Sequence, residues 1–81
     1  MKLNVLFFAQ ARERAGASSA PLELPANSRV SDALAAIEQA WPLLEPLRPH
    51  LAVAVNGVLA RPDDPLADGA ELALLPPVSG G

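Results

Sequence analysis

The chain has 81 residues, no cysteine, 51% hydrophobic and 19% charged residues, and a formal net charge of -3. A chain of this size hides only about 60–65% of its unfolded surface, so its apolar residues must serve one shared core, with little chain left to wall a buried catalytic cavity. One Lys and five scattered Arg make no basic patch, which argues against nucleic acid or an anionic membrane as partner, and without cysteine there is no disulfide scaffold, thiolate metal site or cysteine nucleophile.

The opening stretch imitates a secretory signal, with Lys2, a short apolar run and Ala9-Gln10-Ala11. Asn4 interrupts the run, and Arg12, Glu13 and Arg14 follow at once, so Leu3 to Phe8 reads instead as a first strand, apolar on both faces and therefore central. Ala11 to Ala20 mixes charge with Gly16 and two serines and reads as a loop. Pro21 to Leu24 is a short edge strand between Pro21 and Pro25, with Leu22 and Leu24 on one face.

Val30, Leu34, Ile37 and Trp41 fall on one helical stripe, with Ala33 and Ala40 beside it. Ser28 or Ser31 is positioned to cap its first amides, Asp32 suits its positive end, and Pro42 cannot continue it. This is the one convincing helix of the chain. Pro42, Pro46 and Pro49 then make a stiff connection. Leu51 to Val55 and Val58 to Ala60 flank Asn56-Gly57, a two-residue hairpin turn. Arg61 to Gly69 is dense in turn residues, and Glu71 to Leu75 is the last strand. The order of elements predicts an α+β domain, a sheet packed on one main helix. No apolar stretch reaches the length of a membrane span, and a cytoplasmic location is expected.

The body of the domain offers no catalytic constellation. His50 stands alone, without a second imidazole or a carboxylate at helical or hairpin spacing. Asp63-Asp64, between Pro62 and Pro65, read as turn residues bonding nearby amides rather than as metal ligands. Gly16 has no phosphate-binding pattern around it, and Trp41 reads as core.

The exception is the end, Pro76-Pro77-Val78-Ser79-Gly80-Gly81. Two prolines lack amide donors and favour an extended backbone, so the segment projects rather than pairing with the sheet. Six residues span about 20 Å, and Gly80 and Gly81 leave the tip without side chains, which suits a narrow channel on another protein. A terminal carboxylate is ionised at neutral pH and is a poor electrophile; to react it needs activation, most simply as an acyl-adenylate made from ATP.

Three stretches carry a resemblance: Val5-Leu6-Phe7-Phe8-Ala9-Gln10-Ala11-Arg12-Glu13, Pro65-Leu66-Ala67-Asp68-Gly69-Ala70-Glu71, and Pro76 to Gly81, with Val55-Asn56 besides. In these the chain resembles the ubiquitin-like β-grasp sulfur carriers that form the small subunits of molybdopterin synthase. The resemblance implies a mixed β-grasp sheet over residues 1–75 and a projecting tail over residues 76–81. It implies that the Gly81 carboxylate is adenylated by an adenylyltransferase similar to ubiquitin activators, which uses ATP, and is then converted to a thiocarboxylate. The carrier itself binds no cofactor. Its tail, Pro76, Pro77, Val78, Ser79, Gly80 and Gly81, enters the large synthase subunit, in a heterotetramer that holds the catalytic side chains. There, two such sulfurs complete the dithiolene of molybdopterin from cyclic pyranopterin monophosphate. By position, Phe8, Leu59 and Leu75 correspond to apolar docking residues, although Phe8 and Leu59 read equally well as core. The chain departs from the family in carrying Leu74-Leu75 where two phenylalanines often precede the Pro-Pro pair. A sulfur carrier for thiamin biosynthesis and a ubiquitin-like protein modifier are the alternatives with the same tail chemistry.

Overall fold

Alternation along the first strand sends Leu3, Val5 and Phe7 to one side, and a computed structural model, which describes residues 1–77, buries all three in strand β1, Lys2–Phe7. There follow helix α1 (Ala9–Ala15), strand β2 (Ser19–Glu23), helix α2 (Val30–Ala40), a 3₁₀ helix (Pro42–His50) and strands β3 (Ala52–Val55), β4 (Val58–Leu59) and β5 (Glu71–Leu75). The five strands form one sheet in the order β2-β1-β5-β3-β4. β1 and β5 run parallel, and every other neighbouring pair is antiparallel. This is the mixed β-grasp sheet that the resemblance implies. Val78, Ser79, Gly80 and Gly81 lie outside the described residues.

One face of the sheet carries the core. Leu3, Val5, Phe7, Val53, Leu72 and Leu74 pack with Val30, Ala33 and Ile37 of α2 and with Leu44 and Leu47 of the 3₁₀ helix. Trp41 is half-buried and meets Phe7 edge to face, with ring centroids 5.0 Å apart, which makes it part of the packing as expected.

Four expectations change. The segment read as a loop from Ala11 begins as helix α1, which Gly16 ends in the left-handed region (φ 76°) with its N–H bonded to Arg12 O. Only Ala11 of its seven residues is buried, so the helix leaves no apolar stripe in the sequence, and α2 is not the only helix. Strand β2 starts at Ser19 rather than Pro21; it is nevertheless an edge strand, as Pro21 requires. Neither Ser28 nor Ser31 caps α2: Arg29 takes the N-cap position, its N–H bonds to Asp32 Oδ2 at 2.8 Å, and the Ser28 hydroxyl donates to Pro25 O at 2.8 Å. The proline-rich connection is helical, and its turns bury Leu44 and Leu47.

The turns behave as their residues dictate. Asn56 and Gly57 adopt φ of 51° and 84°, as a two-residue hairpin requires. Asn56 also braces β5: its N–H donates to Glu71 O at 2.8 Å, and its Oδ1 accepts from the Glu71 N–H at 2.9 Å. Asp64 Oδ2 accepts from the Arg61 N–H at 2.9 Å, the turn bond expected of it, whereas Asp63 contributes its backbone carbonyl, 2.7 Å from the Arg29 guanidinium.

Candidate functional site

The outer face of the sheet follows from the same alternation. Side chains that pair across strands share a face, and the register aligns Ser19, Leu6, Ala73, Ala54 and Leu59 in one row across all five strands. The next row holds Leu75 opposite Ala52. In the other direction along the strands come Asn4 beside Pro21 and Glu71, and then Lys2 opposite Glu23. The face is therefore divided: polar where β1 and β5 begin, apolar where they end.

The apolar half has a floor of alanines and a rim of larger side chains. Ala54 is buried and Ala73 half-buried, while Leu6 and Leu75 are half-buried and Leu59 is 72% exposed. Phe7 lies beside Leu74 in the core, so Leu75, the next residue of β5, and Phe8, the extended residue just past β1, both leave the core face. Phe8 is 45% exposed. The open alternative for Phe8 and Leu59 thus resolves against the core. Of the Leu74-Leu75 pair, Leu74 is fully buried, and only Leu75 is placed to meet another molecule.

At this apolar end β5 delivers the tail. β5 is hydrogen-bonded to β1 on one side and β3 on the other, and the chain leaves it at Pro76, half-buried, and Pro77, exposed. The root of the tail is thereby fixed at the centre of the sheet edge. The rest of the predicted tail, Val78 to Gly81, lies outside the described residues.

The strand-to-helix junction beside Phe8 is abrupt. Phe8 is extended (φ -115°, ψ 150°), and Ala9, the next residue, has φ of 49°. The Ala11 N–H then closes on Phe8 O at 3.0 Å. An L-alanine in the left-handed region costs about 1–2 kcal/mol, a signal that sequence patterning does not carry.

Elsewhere the residues considered for chemistry remain apart. His50 is exposed at the end of the 3₁₀ helix, and among the described residues no three His, Cys, Asp or Glu side chains gather closely enough to hold a metal ion. A shallow depression between α2 and the 3₁₀ helix, lined by Ala35, Gln39, Pro42 and Glu45, contains the Arg48–Glu38 ion pair.

Comparison with known proteins places this geometry. The ThiS family model matches residues 5–81. The molybdopterin synthase sulfur carrier subunit of Chlamydomonas reinhardtii is 40% identical over 83 residues, covering 100% of both chains. The crystal structure of SAMP1 from Haloferax volcanii superposes with a TM-score of 0.92 at 35% identity, covering 100% of each chain. The complex of subunits 1 and 2 of the molybdopterin-converting factor from Helicobacter pylori contains a chain that matches with a TM-score of 0.72 at 29% identity, again over 100% of each.

Proposed function

The chain belongs to the ThiS family, and from that premise we propose that it is the sulfur-carrier subunit of molybdopterin synthase. The observation that carries this reading is the placement of the tail's root, Pro76-Pro77: it follows a strand paired on both sides, at the apolar end of the sheet's outer face. A delivery arm needs a fixed root and a docking surface beside it, and a doubly paired strand ending at an apolar stretch of the outer face supports that reading. The full-length likeness to a sulfur carrier subunit supports the same assignment.

In this reading the Gly81 carboxylate attacks the α-phosphorus of ATP on a ubiquitin-activator-like adenylyltransferase, releasing pyrophosphate and leaving an acyl-adenylate. A sulfide-level donor then displaces AMP and leaves the thiocarboxylate. The carrier holds no cofactor, since ATP is bound and spent by the partner. Phe8, Leu59 and Leu75 dock on the large synthase subunit, and Pro76, Pro77, Val78, Ser79 and Gly80 thread the terminal sulfur into its site. Transfer to cyclic pyranopterin monophosphate returns Gly81 to the carboxylate, and two such deliveries complete the dithiolene. Two carriers on two large subunits make the heterotetramer. The likeness to one subunit of a two-subunit converting factor supports a large-subunit partner. No helix among the described residues is long and apolar enough to cross a membrane, and the cytoplasm is the compartment proposed.

The likeness to SAMP1, a small archaeal modifier protein, favours one second reading: the activated Gly81 carboxyl passes to lysine amines and forms isopeptide bonds. One experiment separates the two. Intact mass is measured after incubation with the adenylyltransferase, ATP and a sulfur donor, and again without ATP. Replacement of one oxygen by sulfur, followed by molybdopterin formation when the large subunit and pterin precursor are added, is the expected result. Lysine adducts on other proteins would support the modifier, sulfur accepted only by a thiamin precursor would support the other carrier, and an unchanged mass, with the adenylyltransferase shown to work on another carrier, would refute both sulfur-carrier readings and leave the modifier standing.

A further inference from the structure

The junction between β1 and α1 contains one residue, Phe8, where connections of two to six are usual, and the residue that follows it and opens α1, Ala9, is held at φ 49°. We propose that Ala9 is a positioning residue for docking, whose left-handed turn holds the neighbouring Phe8 on the apolar rim beside the tail root; the inference rests on the docking reading above. Three observations converge on it. Phe8 is the last extended residue, and its carbonyl accepts the Ala11 N–H at 3.0 Å, so its backbone is fixed from both sides of Ala9. The turn draws α1 back at once, burying Ala11 completely while leaving Phe8 45% exposed. The sheet register ends with Phe7 opposite Leu74, so the extended Phe8 and Leu75, which directly precedes Pro76, each follow the last paired residues on the same side of the sheet. A glycine would make the same turn without strain, but it visits both signs of φ about equally and would leave the aromatic ring on a looser hinge. Alanine accepts the strain and limits the alternatives, a combination that recurs where geometry matters more than stability.

The test is a double-mutant cycle read as affinity for the large synthase subunit by titration calorimetry. Ala9→Val opposes the left-handed region through β-branching, whereas Ala9→Asn tolerates it. Ala9→Val is expected to weaken binding about tenfold and Ala9→Asn less than about twofold; in a Phe8→Ala background, where the ring is already gone, Ala9→Val should change affinity less than about twofold. If Ala9→Val does not fold, as judged by circular dichroism, Ala9→Leu takes its place in the same cycle. Equal effects of Val and Asn, or a loss from Ala9→Val that persists without the Phe8 ring, would overturn the proposal while leaving docking through Phe8 intact. An unchanged affinity for Phe8→Ala alone would overturn the docking role of Phe8 and this inference together.

Discussion

Leu59 and Leu72 are the same side chain on opposite faces of one sheet, and truncating each to alanine separates docking from folding. Full burial of a leucine side chain contributes about 1.5–3 kcal/mol. Leu59 is 72% exposed, so the isolated fold draws on only about a quarter of that, roughly 0.4–0.8 kcal/mol. In a domain of this size that lowers Tm by about 2–6 °C. The remaining exposure, roughly 1–2 kcal/mol, is realised only when a partner covers the face. Leu59→Ala should therefore weaken binding to the large subunit about 5–30-fold. Leu72 is fully buried, and Leu72→Ala should cost about 2.7–5 kcal/mol, a large share of the stability of any small domain. The assay is a melt followed by Trp41 fluorescence, with calorimetric titration of the large subunit at a temperature where both variants are folded. A Leu59→Ala melt as low as that of Leu72→Ala, or an unchanged affinity, would refute the assignment of Leu59 to a docking face.

Removing Gly81 should leave the melt unchanged within about 1 °C and abolish molybdopterin formation in a reconstituted assay, because a terminal glycine has no side chain to pack and chain ends ordinarily add little to stability. Asn56→Ala removes the acceptor of the Glu71 N–H and places a less tolerant residue at φ 51°, at a combined cost of about 2–3 kcal/mol, measurable by urea unfolding and by faster hydrogen exchange at Glu71. Glu38→Gln breaks the ion pair with Arg48, whose side chain is 43% exposed, and should cost less than about 1 kcal/mol, with a difference from the parent that shrinks in high salt.

The legible parts of the fold are those where one physical rule acts alone. Glu71 to Leu75 alternates cleanly and is the strand read from it, and Asn56-Gly57 fixes its own turn. The stripe of α2 was visible because its face packs on a sheet, although Ala33 lies deeper than Leu34, as the more central and smaller side chain. α1 was not legible, since a helix that buries one alanine and otherwise presents Arg12, Glu13 and Arg14 to solvent has the composition of a loop. The cap at Arg29 escaped because the useful group was the Asp32 carboxylate three residues on, not the serine hydroxyls before it. At the site, alternation and register account for Leu59 and Leu75, but the exposure of Phe8 depends on where β1 stops, and that is set by the turn at Ala9.

The division of the sheet's outer face bears on how such a carrier meets more than one partner. An apolar face of four larger side chains over alanines is flat and has few directional groups, so shape rather than hydrogen bonding guides its contacts. Orientation on a partner must then come from elsewhere. The polar half, with Lys2 opposite Glu23 and Glu71 beside Asn4, lies at the far end of the same strands and gives the face a polarity along the axis that points to the tail. A partner that covers the apolar end and avoids the polar one has the tail root directed toward it. Because β5 is paired on both sides, little ordering entropy is spent on the root, and the cost of threading falls on the few residues beyond Leu75, where prolines already restrict the chain.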